Sequence, residues 1–197
     1  MEKKLLTIFG ASGLVGSSIL TEALDRGYHV NGTLRDIENQ DRITRLKSLP
    51  SGKNAKFFSA DMAEISSLDN PLINSDAAII CCLIPTYKGF DGTVAKELDD
   101  ERGYNEIIKP TVDGCLNILK SAKINNVKNV LICSSTSSTN PITQVLIKNE
   151  LDHWSDEKEQ CNSKKYTSAA KTYMERAAFK FCNENNLWLF IGGSISK

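Results

Sequence analysis

The chain has 197 residues, with 24 lysines plus arginines, 24 aspartates plus glutamates and a formal net charge of zero. That length suits one domain, residues 1–197, with a substantial core. The charge balance provides no electrostatic basis for nucleic acid or an anionic membrane as partner and leaves a small molecule as the expected ligand. The apolar start breaks at Gly10, too early for a signal peptide, and no run approaches the roughly 18 apolar residues of a membrane span. A cytoplasmic protein is therefore expected.

Leu5 to Phe9 reads as a strand that runs into Gly10-Ala11-Ser12-Gly13-Leu14-Val15-Gly16 and then into a helical pattern. A glycine turn opening a helix aims backbone N–H groups and the positive end of the helix dipole at one spot, which favours phosphate. Gly10 permits the tight turn, Gly13 the approach of a pyrophosphate, and Gly16 close packing of helix on strand. The spacing is GxxGxxG rather than GxGxxG, so a plain strand-to-helix turn stands as the alternative to a dinucleotide site.

The helix pattern ends at Arg26-Gly27, with the glycine placed as a C-terminal cap. Tyr28 to Leu34 then alternates as a second strand, followed by Arg35-Asp36. An acidic residue about 20 positions past the glycines suits the 2′-hydroxyl of NAD, whereas an arginine pairs with the 2′-phosphate of NADP. Arg35, Arg42 and Arg45 make a local cationic cluster. NADP is the expected cofactor, with NAD as the alternative; the other reading of these arginines is a solvated helix face.

Lys56 to Ala60 reads as a third strand, after which Asp61 is placed to accept from an adenine amino group and Met62 to lie beside the ring. A surface turn is the competing reading. The apolar run Ala77 to Ile84 reads as a central parallel strand, ended by Pro85. Thr86 to Gly103 reads as a mobile loop, and Asn105 to Asn125 as a helix in which Pro110 implies a kink or a late start. Asn129 to Cys133 is a fifth strand entering Ser134-Ser135. Thr139 to Lys165 is polar and irregular, read as surface rather than site; Thr167 to Asn183 reads as a helix and Leu187 to Ile191 as a sixth strand.

Strands alternating with helices define an α/β fold, a Rossmann-type doubly wound parallel sheet with helices on both faces. The six cysteines form no CxxC pair, so neither a metal site nor a disulfide framework is expected, and most read as buried thiols.

Several stretches together resemble the extended short-chain dehydrogenases/reductases, and among them the dihydroflavonol reductase and cinnamoyl-CoA reductase group. They are GASGLVG at Gly10 to Gly16, GYHVNGTLRD at Gly27 to Asp36, NEIIKPTVDGCLNILKSA at Asn105 to Ala122, VKNVLICSS at Val127 to Ser135, HWSDEKEQC at His153 to Cys161 and KTYMERAAFKFCNENNL at Lys171 to Leu187.

The resemblance implies NADPH-dependent reduction of a ketone or aldehyde to an alcohol by a serine, a tyrosine and a lysine. Ser135 matches the serine, and Lys171 matches the lysine, which also binds the nicotinamide ribose. Arg35 and Arg42 match the positions that receive the 2′-phosphate. The family's tyrosine stands four residues before its lysine, where this chain has Thr167; the nearest tyrosine, Tyr166, is five before.

Three readings follow. Tyr166 reaches the site from an irregular first turn, or Thr167 holds the position as a weaker acid, or the chain binds cofactor without turnover. The family continues past its sixth strand through a proline-containing turn into a region that shapes the substrate pocket. This chain reads GGSISK there, so that region is expected to be largely absent. The alternatives to a reductase are a non-catalytic NADP(H)-binding module and a truncated fragment, and a homodimer is expected only by analogy.

Overall fold

A computed structural model describes residues 4–49, 52–141, 145–149 and 152–194. Six parallel strands form one sheet: β1 (Leu5–Phe9), β2 (His29–Leu34), β3 (Ala55–Ser59), β4 (Ala77–Ile80), β5 (Asn129–Ser135) and β6 (Trp188–Ser194). Their spatial order is β3-β2-β1-β4-β5-β6. The chain winds outward from β1 through β2 to β3, then returns to β4 on the other side of β1. The reversal opens a crevice at the carboxyl ends of β1 and β4, the place where such sheets bind ligands.

Side-chain alternation explains why both faces are covered. Ile8 packs with Leu20 and Leu24 of helix α1 (Leu14–Asp25), while its neighbour Phe9 packs with Ile118 of helix α5 (Lys109–Ile124) and Met174 of helix α7 (Tyr166–Asn185). In β4, Ala78 and Ile80 join the second of these clusters, and Ile79 packs against the first. Period-two alternation in an apolar run thus feeds two cores. Helix α2 (Gln40–Ser48) covers the β2–β3 side with Ile43 and Leu46.

Most expected strand and helix ends shift by one to three residues, and three larger differences stand out. The apolar run at residues 77–84 is strand only to Ile80; Cys81 still donates its N–H to Phe9, but Ile84 is exposed on the cleft wall. The helix expected around Pro110 has an early and a late part. After the one-turn helices α3 (Asp69–Leu72) and α4 (Asp100–Gly103), a π-helical turn spans Tyr104–Ile108 and α5 begins at Lys109, with the proline at its start. A proline has no N–H to give, so the wider turn before it absorbs the mismatch and the α-helix begins where the missing donor is harmless. The polar segment before Lys165 contains a short helix, α6 (Glu157–Asn162), whose N-cap Asp156 accepts from the Glu159 N–H at 2.9 Å.

No helix among the described residues is long and apolar enough to cross a membrane.

Candidate cofactor cleft and reductase site

The glycine turn is built as its sterics require. Gly10 has φ +82°, a conformation that disfavours any side chain, and a Cβ on Gly16 would lie 2.2 Å from the Gly10 carbonyl oxygen. The turn is tied to β2: Thr33 Oγ1 accepts from the Gly10 N–H at 3.2 Å, and the Thr33 carbonyl accepts from the Ala11 N–H at 2.9 Å. Gly13 caps α1 in an extended conformation without any side-chain hydrogen bond to the first turn, and Gly13, Leu14 and Val15 are exposed while Ser12 is half-buried. The first-turn N–H groups therefore face an open crevice, an arrangement that fits a pyrophosphate.

Next to the turn, Arg35 and Arg42 are both exposed, and neither guanidinium has a carboxylate partner among the described residues. The Asp36 carboxylate accepts from the Glu38 N–H at 3.0 Å, so part of its acceptor capacity serves its own turn. Asp61 does likewise, accepting from the Ala63 N–H at 2.9 Å. Met62 packs under α5: its sulfur would lie 2.6 Å from a Cβ on Gly114, and its carbonyl accepts from Asn117 at 3.0 Å. Both Asp61 and Met62 are half-buried, and neither borders the cavity at the end of β5.

That cleft is a cavity of about 920 Å³ bordered by Val15 of the glycine turn, Ser135 at the end of β5, and Thr167 and Lys171 of α7. Thr167 and Lys171 are four residues apart and share a helical face, since four steps of about 100° return to within about 40° of the start. Ser135 Oγ accepts from the Ser137 N–H at 3.3 Å and begins the 3-10 turn Thr136–Thr139. The Lys171 ammonium is buried; it donates to the Leu83 carbonyl and, at 3.5 Å, to that of Cys133. Burial lowers its pKa from the ordinary lysine value, while Glu175 opposes that shift. A second cavity, of about 510 Å³, lies at the opposite end of the strands around Leu5, His29 and Asn54 and has no part in this arrangement.

Tyr166 does not border this cleft. It begins α7 and packs among Ile107, Ile108 and Leu98, fully buried, with its hydroxyl donating to Asp100 at 2.8 Å. Gly103 makes room for the ring: a Cβ there would lie 2.5 Å from it. Burial, then the Asp100 carboxylate, push the phenol's pKa up, the opposite of what a proton donor at neutral pH requires.

Sequence reading missed several groups. Glu175, one turn beyond Lys171, is buried and accepts from Ser134 and, at 2.5 Å, from Ser138. Burial raises its pKa, against the two serine bonds and Lys171. Its spacing from Lys171 was the available signal. Tyr87, Asn140 and Lys148 border the cleft from segments read as mobile loop or surface. Of the six cysteines only Cys115 and Cys182 are fully buried, which corrects the expectation that most are, and none is paired in a disulfide.

A parallel sheet with its reversal at a glycine turn, and a serine and a lysine across the crevice, defines a dinucleotide-binding Rossmann domain. The chain belongs to the NAD(P)H-binding family, whose model matches residues 10–178, and it is of the dihydroflavonol-reductase-like extended short-chain dehydrogenase/reductase type. It is 30% identical over 192 residues to a bifunctional dihydroflavonol 4-reductase/flavanone 4-reductase of Malus domestica, covering 94% of this chain and 52% of that protein. Against a dihydroflavonol 4-reductase of Arabidopsis thaliana the identity is 32%, covering 94% of this chain and 47% of the other. Among solved structures, vestitone reductase from alfalfa superposes with a TM-score of 0.71 at 24% identity, covering 96% of this chain and 56% of that one. The yeast methylglyoxal/isovaleraldehyde reductase complexed with NADPH gives 0.71 at 18%, with coverage of 96% and 56%. The chain thus spans about half the length of these relatives.

Proposed function

We propose that this chain is the cofactor-binding part of an NADP(H)-dependent reductase that converts a ketone or aldehyde to an alcohol. The observation that carries this reading is that Val15, Ser135 and Lys171 border one cavity, so that the glycine turn, a hydroxyl and an ammonium converge. The first turn of α1 holds the pyrophosphate, Arg35 and Arg42 hold the 2′-phosphate, and Lys171 holds the nicotinamide ribose. When bound, the nicotinamide supplies the hydride.

The chain's own residues then manage the oxygen. Ser135 donates to the carbonyl oxygen as negative charge develops there. Thr167 stands where the family has its tyrosine, and an aliphatic hydroxyl is a far weaker acid than a phenol, whose pKa is ~10. The cleft does hold a phenol, Tyr87. Its side chain is exposed at the cleft, while its backbone is anchored by the Ala95 N–H, which donates to the Tyr87 carbonyl at 2.9 Å. Lys171 fixes Leu83 at the base of the same segment. Tyr87 supplies the proton in this reading, and solvent at the cleft mouth restores it.

Fluorescence titration tests binding first: NADPH is expected to bind at least about tenfold more tightly than NADH, with the preference lost in Arg35→Ala, since one charge-assisted bond is worth ~1.5–3 kcal/mol. Equal affinities in the wild type would overturn the cofactor assignment. NADPH consumption with a panel of aldehydes and ketones tests turnover, and no consumption by a chain that binds NADPH would overturn the reductase reading. Full activity in Tyr87→Phe would remove Tyr87 as the donor and leave the rest standing.

A further inference from the structure

The wall of the cleft carries two thiols that nothing in the reductase reading uses. Cys81 follows the last residue of β4 and Cys133 lies in β5, and both border the cavity. The two strands are parallel neighbours with Ile80 opposite Ile132, so Cys81 continues the register opposite Cys133. Their sulfurs are 3.4 Å apart. Neighbouring strands hold Cα atoms ~4.7–4.9 Å apart, inside the ~4.4–6.8 Å range that a disulfide spans, and directly opposite residues point to the same face. Both cysteines are half-buried, reached from the open cavity rather than sealed in the core as Cys115 and Cys182 are.

We infer that Cys81 and Cys133 form an oxidation site in the cleft wall, a dithiol closed to an intramolecular disulfide by small disulfides of the glutathione class. The chemistry of the two thiols divides the labour. The contact with Cys81 and the Lys171 ammonium, which donates to the Cys133 carbonyl at 3.5 Å, favour the Cys133 thiolate, while the contact with Cys133 and then burial disfavour ionisation of Cys81. Cys133 is therefore the attacking sulfur.

Its thiolate displaces one glutathione from the oxidised dimer, forming a mixed disulfide as the glutathione sulfur–sulfur bond breaks. Cys81 loses its proton to solvent, attacks the Cys133 sulfur of that mixed disulfide, and expels the second glutathione. The two protein thiols lose two electrons and two protons, and glutathione disulfide gains them. The register already places both sulfurs on one side of the sheet.

The test is oxidation of the full chain with glutathione disulfide, followed by alkylation of the remaining thiols in denaturant and intact-mass and peptide analysis. The expected product has four alkylated cysteines, no bound glutathione, and one linked peptide pair containing Cys81 and Cys133. Cys81→Ser is expected to trap the intermediate as a stable glutathione adduct on Cys133, and Cys133→Ser to slow reaction at residue 81 at least about tenfold. A stable adduct in the wild type, a bridge between other cysteines, or six unreacted thiols would each overturn the proposal. These readouts need neither cofactor nor turnover, so they stand or fall apart from the reductase assignment.

Discussion

The Tyr166 hydroxyl donates to the Asp100 carboxylate at 2.8 Å, across the packing of α7 on α4 and away from Lys171. Because α7 already includes Tyr166, a five-residue step puts it ~140° around the helix from Lys171, and Thr167 takes the shared face. In Tyr166→Phe, NADPH affinity and any carbonyl turnover are expected to stay within about twofold of the wild type. The lost hydrogen bond to a carboxylate is expected to cost ~1.5–3 kcal/mol in denaturant melts. Loss of turnover with the fold intact would restore Tyr166 to the mechanism.

The same helical face supports a gain of function. Thr167→Tyr places a phenol one turn before the Lys171 ammonium, at a cleft of about 920 Å³ that has room for the ring. Turnover of carbonyl substrates is expected to rise by about a hundredfold, the low end of the ~10²–10⁴ range for a positioned general acid. A steady-state assay with unchanged NADPH affinity checks it, and an unaltered rate would show that the position of the acid does not limit this chain.

Gly16 offers a test of the turn itself. A Cβ there would sit 2.2 Å from the Gly10 oxygen, and the obstacle is backbone rather than a side chain that can swing aside. Gly16→Ala is expected to destabilise by ~1–3 kcal/mol, as overpacking does. NADPH binding should also weaken more than tenfold, because α1 must shift off the turn. Gly27→Ala is the control: it loses a C-terminal glycine of φ +85° but meets nothing within 4 Å, so its effect should be confined to stability.

Glu175 ties stability to pH. Its pKa is raised by burial above the ordinary value of 4.5, so between 4.5 and the raised value the folded chain binds more protons than the unfolded one. Stability from this group is therefore present at low pH and lost as pH rises through that window. Ser134 and Ser138 as donors and Lys171 as cation limit the loss. In Glu175→Gln the group no longer titrates, and the difference in unfolding free energy between variant and wild type is expected to move in the variant's favour from pH 4 to pH 8 (~4 to ~8, spanning the carboxylate range). A constant difference would show that Glu175 ionises without cost.

Much of the site was legible in the sequence because its logic is local. The strand, glycine turn and helix from Leu5 to Asp25 follow from consecutive residues, and the shared face of Thr167 and Lys171 follows from helical spacing alone. Parallel strands were legible too, since apolar runs alternating with amphipathic helices have few other ways to bury both sheet faces.

What only the tertiary structure decided are the contacts made across long separations in the chain. Tyr166 meets Asp100 across 66 positions, Glu175 meets Ser134 across 41, and Cys81 meets Cys133 across 52. No periodicity encodes such partners, because they depend on which strands neighbour in space and on how a helix is rotated against the sheet. By itself the sequence determined that a strand runs through a glycine turn into a helix and that Thr167 and Lys171 stand one helical turn apart. Packing determined that the tyrosine beside that lysine's turn belongs to the core, because an apolar pocket closed by Gly103 and a carboxylate at Asp100 hold the ring there.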